Sequence, residues 1–528
     1  MKFTSFKKLS IRMVGAFLCS VFLVIMQPYE LHAEPKGEIA EIGRDTNVIL
    51  ITINVLRDDH LSCYGYERQT TPAIDELAKS SYQFRNAFAQ AGYTFPSMIS
   101  ILTSIYPQSH KVYFSFKDKL SPRVKTLAEL FKIYDYQTAW FAVLDEPHLA
   151  LDAGFGRGFD STHYLDLQLN GKEEIPKWIS EHKKKPFFVA MNIRHTHGPY
   201  FPLPPYRDAF KTGKKGTIIA NFRELREKVY EIVINTMNQS GSIASELFTP
   251  ATIKDNPEVF DGTYDEMKFG KLEELTIPDQ RIKLGHLMMK TYNESIDKSD
   301  PENLAYFISL YDACILGIDQ EIVKSIVATL KKEKIFDKTM VIVTGDHGES
   351  HGEHGIIGHG MEYYDQQVHV PLIIKMPRGS EHKEVKDMVQ SIDIMPTILD
   401  VVGMEKPFNL HGKSFLPLIT GTGDVVDRTY VYGENNDFAY LRSVEWKLVV
   451  VRKDLTKKIG EKDLLFNLNS DPDELKNIKN EAPEVYQELR QKLKKHLDSL
   501  PDYTDQEYQF APNIDPATQN RIRKTGYW

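Results

Sequence analysis

The sequence predicts an α/β protein: a large, mostly parallel sheet sandwiched by helices, followed by a smaller C-terminal α+β subdomain. Three observations predict it. Short apolar runs rich in β-branched residues alternate with longer helical patterns, the rhythm of βα units. After about Thr420 that rhythm gives way to strand runs closed by one amphipathic helix. Polar residues with reactive side chains cluster just past the apolar runs, where open α/β sheets bind their ligands.

The bulk properties narrow the function. At 528 residues the chain exceeds one small core and suggests a large domain plus a smaller one. Hydrophobic residues make up 41% and charged residues 26%, as in ordinary globular proteins. A net charge of −8 leaves no basic surplus to neutralise phosphates, which argues against a nucleic-acid partner. The cysteines are Cys19, Cys63 and Cys314, too few for a disulfide scaffold and without metal-binding spacing.

The elements follow in order. Lys2, Lys7 and Lys8 precede an apolar run from Met13 to Met26, and LHA ends at Ala33. A basic start, a short apolar stretch and a small residue at the end read as a secretory signal over 1–33. The run is short for a membrane span, so an exported chain, periplasmic or secreted, is expected. Membrane proximity would come only through an uncleaved signal. A polar linker, Glu34 to Arg44, leads into TNVILITINVL, a strand buried on both faces. TTPAIDELAKSSYQF reads as a helix with Thr70 or Thr71 as cap and Pro72 in its first turn. QTAWFAVL, KPFFVAMNI, KTMVIVTG and VPLIIKMP are further strands; RVKTLAELFKIY, LAYFISLYDACILGIDQEIVKSIVATLKKE and SIDIMPTILDVVG are helices. The core domain is expected over 45–420, with 212–303 a polar helical insertion forming a cap. Residues 421–528 form the subdomain, with strands RTYVYGE, AYLRSVEWKLVVVRK and KDLLFNLN and the helix APEVYQELRQKLKKHLDSL.

Chemistry gathers in four places. Asn54 ends the first strand and is followed by Arg57, Asp58, Asp59 and His60, which offer oxygens to a hard cation and a cation to an anion. AGYTFPSMIS brings Thr94 to a helix start, as a nucleophile or as a cap. MNIRHTHGPYFPLPPY carries His195 and His197 past a strand, placed to ligate a metal or bind an anion. In VIVTGDHGESHGEHGIIGHGMEYYDQQVHVPLII, Asp346 and His347 close a strand, and Glu349, His351, Glu353, His354 and His359 follow among glycines.

These four places, in this order, resemble the sulfatase family of the alkaline-phosphatase-like superfamily, from about Thr46 to Leu500. TFPSMISILTSIYPQSH resembles the family's nucleophile segment, HTHGPYFP its histidine segment, and VIVTGDHGE its metal-site strand. LRSVEWKLVVV and LLFNLNSDPDELKNI are similar to the family's C-terminal subdomain. The resemblance implies a metal-dependent ester hydrolase with Asn54, Asp346 and His347 around one divalent cation, Ca²⁺ first, with Mg²⁺, Mn²⁺ or Zn²⁺ as alternatives. It implies Thr94 as nucleophile, His197 and His359 as catalytic groups on the ester, and His195 and Arg57 as substrate-binding groups. The substrate would be a sulfated or phosphorylated small molecule, glycan or lipid head group.

The departures are three. Thr94 stands where the family has the Cys or Ser converted to formylglycine, so that modification is not expected. Asn54 replaces a ligating Asp, and Met98 replaces an Arg. The threonine keeps a phosphate ester open beside a sulfate ester. Two other readings stay open: an inactive relative that binds such a ligand, and a phospho-group transferase working through a threonyl intermediate.

Overall fold

The computed structural model describes residues 43–503, apart from 114–117, 144–153, 166–168, 222, 226, 230, 233–286, 361–362, 380–381, 408, 424–427, 456–459 and 461. The expected signal and most of the expected insertion lie outside the described residues.

The main sheet has eight strands. They are β1 (Asn47–Ile53), β2 (Tyr82–Phe88), β3 (Gln137–Val143), β4 (Ser161–Leu165), β5 (Phe187–Ile193), β6 (Thr339–Gly345), β9 (His369–Lys375) and β10 (Lys383–Gln390). A short ribbon of β7 (Ser350–His351) and β8 (Ile357–Gly358) lies between the last two groups. The spatial order is β10-β2-β9-β6-β1-β5-β3-β4. β9 alone runs antiparallel to its neighbours β2 and β6. β1, β5 and β6 are buried along their whole length, as a sheet covered on both faces requires.

Alternation along β1 shows the sandwich. Val48 and Leu50 point into one core with helices α1 (Thr94–Thr103), α2 (Leu127–Ile133) and α3 (Ile394–Val401). Ile49, Ile51 and Ile53 point into the opposite core, with the helices Pro72–Ala78, Gly171–His182 and Pro301–Ile318. The long helical run expected after residue 304 continues from Pro301–Ile318 through a π-turn at Asp319–Val323 into Lys324–Lys332.

Some boundaries differ from expectation. The helix predicted over TTPAIDELAKSSYQF stops at Ala78, and Tyr82–Phe88 is strand β2. Its apolar spacing fits both periods, and pairing with β9 and β10 decides it. Thr71 is the N-cap residue of that helix, but its hydroxyl donates to Asp75, and Asp319 accepts from the Ala73 and Ile74 amides instead.

The subdomain is an antiparallel sheet, β11 (Val431–Glu434), β12 (Phe438–Arg442), β13 (Trp446–Val451) and β14 (Leu464–Asn467), in that order. One face packs Leu441, Leu448 and Leu465 against Tyr486, Leu489, Leu493 and Leu497 of the terminal helix Pro483–Ser499. The other face packs Val431, Tyr440 and Val449 against Phe88, Tyr363 and Val368. Cys63 and Cys314 are both free thiols, and Cys314 is buried. Among the described residues no helix is long and apolar enough to cross a membrane.

Candidate active site

The site forms where three neighbouring parallel strands end together. In register, Thr52 of β1 pairs with Asn192 of β5, and Ile53 pairs with Gly345 of β6. The residues at or just past these pairs are therefore Asn192, Asn54 and Asp346, side by side at the carboxyl edge. Glycine is required around Asp346-His347: a Cβ on Gly345 would come within 2.6 Å of the Leu56 carbonyl oxygen, and one on Gly348 within 2.1 Å of the Gln366 carbonyl oxygen.

Asp346 is fully buried and its carboxylate is saturated with donors. Oδ1 accepts from the backbone amides of Val55 at 3.0 Å and His347 at 2.8 Å. Oδ2 accepts from Asn54 Nδ2 at 2.6 Å and Asn192 Nδ2 at 3.3 Å. Val55 holds its amide there from a φ of 50°, a left-handed conformation costly for a β-branched residue.

Thr94 is the first residue of α1, and Tyr93 occupies the N-cap position. Its hydroxyl is engaged elsewhere. Asn54 Nδ2 donates to Oγ1 at 2.8 Å, and Oγ1 lies 3.1 Å from His347 Nε2. His347 Nδ1 donates to the Gly348 carbonyl at 2.8 Å, so Nε2 is left as the acceptor for the Thr94 proton. Burial lowers the His347 pKa below 6.5 despite the nearby Asp346, which keeps the ring neutral. Ser97 Oγ donates to the Asp346 carbonyl and pins α1 to the end of β6. Met98 is buried in the core beneath.

Two more histidines extend the cluster from His347. The His359 ring stands 4.6 Å from that of His347 and 5.0 Å from that of His197. His359 Nδ1 donates to Glu349 Oε1 at 2.8 Å, and Tyr200 donates to the other Glu349 oxygen. His197 Nδ1 donates to the Gly198 carbonyl, and an Arg194 guanidinium nitrogen lies 3.5 Å from Nε2. Burial and then Arg194 hold the His197 pKa well below 6.5. Thr94, Asn54, Asp346, His347, His197 and His359 thus form one contiguous cluster.

Two predicted substrate-binding residues do not join them. Arg57 is buried and committed: its guanidinium pairs with both Asp59 oxygens, with Glu353 Oε1 at 2.7 Å and with the Glu349 carbonyl at 3.0 Å. Its fork geometry is spent on anchoring the loop after β1 to the loop after β6. His195 turns under the helix Pro301–Ile318, where its ring packs near Gly317. Its pKa falls to about 4 through burial. His354, a further candidate ligand, stacks on Tyr364 with ring centroids 3.6 Å apart.

The expected cation is tested by the donor set. Among the described residues no three His, Cys, Asp or Glu side chains converge to hold a metal ion. Asp346 is the one carboxylate on Asn54, and two of its four donors are backbone amides that cannot turn to present oxygen. Val55, the next residue after Asn54, offers only a buried aliphatic side chain. Ca²⁺ takes about six to eight oxygens and Mg²⁺ an octahedron of them. As placed, with amide hydrogens and not oxygens turned to Asp346, Asn54 and Asn192 do not present a ligand set for a divalent cation; Asn54, Asp346 and His347 form a hydrogen-bonded network where ligands were expected.

Sequence reasoning missed Asn192, Val55, Arg194, Glu349 as the support of His359, and Tyr200. Asn192 alone had a signal, a carboxamide inside the apolar run KPFFVAMNI.

A hydroxyl paired with a neutral imidazole, at the carboxyl ends of a mostly parallel sheet covered on both faces, is the arrangement of a nucleophile beside its base. Comparison with known proteins gives the class. The Sulfatase family model matches residues 46–404, and the model for N-sulphoglucosamine sulphohydrolase, C-terminal, matches residues 352–502. Arylsulfatase K of Mus musculus is 33% identical, over 86% of this chain and 80% of its own. Delta 4,5-hexuronate-2-O-sulfatase of Bacteroides thetaiotaomicron is 21% identical, over 92% of this chain and 95% of its own. The phosphonate monoester hydrolase of Agrobacterium radiobacter shares the fold with a TM-score of 0.62 at 20% identity, covering 87% of this chain and 97% of its own. The chain belongs to the sulfatase family, and by that membership is a sulfuric ester hydrolase.

Proposed function

We propose that this chain cleaves an organic sulfate ester on a sugar with Thr94 as nucleophile and His347 as its base. The observation that carries the reading is Thr94 Oγ1 at 3.1 Å from the acceptor nitrogen of His347. Thr94 Oγ attacks sulfur as His347 Nε2 takes its proton, and the S–O bond to the sugar breaks. His359 protonates the departing alkoxide. Water then attacks the threonyl sulfate as His359 takes its proton, His347 returns its own to the Thr94 oxygen as that S–O bond breaks, and sulfate leaves. Arg194, His197 and His359 face the anionic oxygens throughout. The sugar is suggested by the hexuronate sulfatase relative and by the name of the C-terminal family model. Export rests on the signal-like start, Lys2 to Ala33.

A phosphate ester is the second reading, favoured by the unmodified hydroxyl of Thr94. Paired aryl sulfate and aryl phosphate substrates, followed by sulfated and phosphorylated disaccharides, decide between them. Higher kcat/KM on the sulfates is expected. Turnover of neither class by the wild-type chain would sink the catalytic reading and leave a ligand-binding relative.

A further inference from the structure

We infer that the Thr94 centre is assembled without a divalent cation, and that Asn54 is the residue that makes this so. A cation between Asn54, Asp346 and Thr94 would bring oxygens together around itself. Here the atom nearest Asp346 Oδ2 is a donor, Asn54 Nδ2 at 2.6 Å, and the same nitrogen donates to Thr94 Oγ1 at 2.8 Å. One NH₂ group therefore bridges the carboxylate and the hydroxyl, using both of its hydrogens. It gives Thr94 a fixed donor and directs the hydroxyl proton towards His347.

The charge balance agrees. Asp346 carries one negative charge, neutralised in hydrogen-bond terms by two carboxamides and two backbone amides. A second carboxylate at position 54 would put two acceptors about 2.6 Å apart in a fully buried site, where only a cation or a shared proton could hold them. The opposing feature is also specific. The Asn54 and Asn192 Oδ1 atoms are buried without a partner. Turning both amides would offer those oxygens to a cation beside Asp346 Oδ2, Thr94 Oγ1 and His347 Nε2, yet that set would carry a single charge.

The site is that of the proposed reaction, but the test reads metal binding and needs no turnover. An inactive chain and a metal-bound chain are thereby told apart. The full chain is dialysed against chelator, and its metal content and thermal midpoint are measured across Ca²⁺, Mg²⁺, Mn²⁺ and Zn²⁺ titrations. The wild type should retain no stoichiometric divalent metal and show a flat midpoint. Asn54→Asp should gain a midpoint rise that saturates with cation. Should that variant fail to fold, Asn192→Asp places a carboxylate on the same Asp346 oxygen and is read alike. One equivalent of bound metal in the wild type, or a saturating wild-type midpoint rise, overturns the inference. A flat response in both carboxylate variants overturns Asn54 as its cause.

Discussion

Thr94 Oγ1 sits between Asn54 Nδ2 at 2.8 Å and His347 Nε2 at 3.1 Å, a donor on one side and an acceptor on the other. A hydroxyl so placed has its proton already directed at a base. Replacing Thr94 by Ala should lower kcat on the best sulfate ester by about 10³-fold or more, whereas Thr94→Ser keeps the oxygen and most of the rate. His347→Ala should cost a similar factor, and the double variant little more, because the two act as a unit. Additive losses would show that the pair does not share one step.

The pH profile follows from the state of that base. Burial lowers the His347 pKa from 6.5, and only the neutral ring can accept the Thr94 proton. The active form is therefore lost as pH falls through a value below 6.5, not at it. The acidic limb of kcat/KM should have its midpoint below pH 6.5 and a plateau through neutrality. A midpoint above 6.5 would assign the base elsewhere.

His359 is held by Glu349, and Glu349 in turn by Tyr200. Glu349→Gln keeps the size of the side chain but removes the charge that orients the imidazole. His359→Ala should lower kcat by about 10²-fold, the usual scale of an acid–base group. Glu349→Gln and Tyr200→Phe should lower kcat by less, with KM little changed and the thermal midpoint nearly intact. A purely structural role would move the midpoint and leave kcat alone.

How much of this was legible depends on the reach of each signal. β1, β5 and β6 announce themselves as apolar runs, and the residues after them, Asn54, His197 and Asp346, could be named in advance. Their register could not, and it is register that sets Asn192 beside Asp346. β2 hid inside a helical pattern because seven residues with mixed burial fit either period. Arg57 and His195 were misjudged for one reason: polarity near a strand end says nothing of direction. Arg57 folds back onto Asp59 and Glu353, and His195 turns towards Gly317.

The subdomain is fastened by a buried ion cluster. Lys447 is fully buried, with Asp365 at 2.6 Å and Glu474 at 2.8 Å, and Arg442 adds a bond to Asp365 at 3.0 Å. Removing the lysine would leave Glu474 without a cation beside Asp365, with Arg442 alone to balance the two carboxyl groups in low dielectric. Lys447→Met should cost about 3–5 kcal/mol in urea unfolding, the scale for breaking a buried pair. The Lys447→Met, Glu474→Gln double variant should recover part of that loss. No recovery would mean that the lysine's packing, and not its charge, carries the effect.

Glu434 offers a stability change whose sign is opposite to that of an ordinary paired carboxylate. Its side chain is fully buried at the end of β11; Oε1 accepts from the Gln108 amide at 2.7 Å, while Oε2 has no partner. Burial is the main cause that raises its pKa to about 7, with the Gln108 amide and Arg452 opposing. Between the ordinary carboxyl value of 4.5 and about 7, the folded chain holds a proton that the unfolded chain has released. Stability should therefore fall as pH rises through that window, by up to about 3 kcal/mol from this group, and level off above it. Glu434→Gln keeps an oxygen for Gln108 and removes the ionisation. Urea midpoints from pH 5 to 8 should decline less in Glu434→Gln than in the wild type, with the two chains closest at pH 5. Parallel curves would mean that Glu434 stays ionised in the fold, with Arg452 and the Gln108 amide outweighing burial.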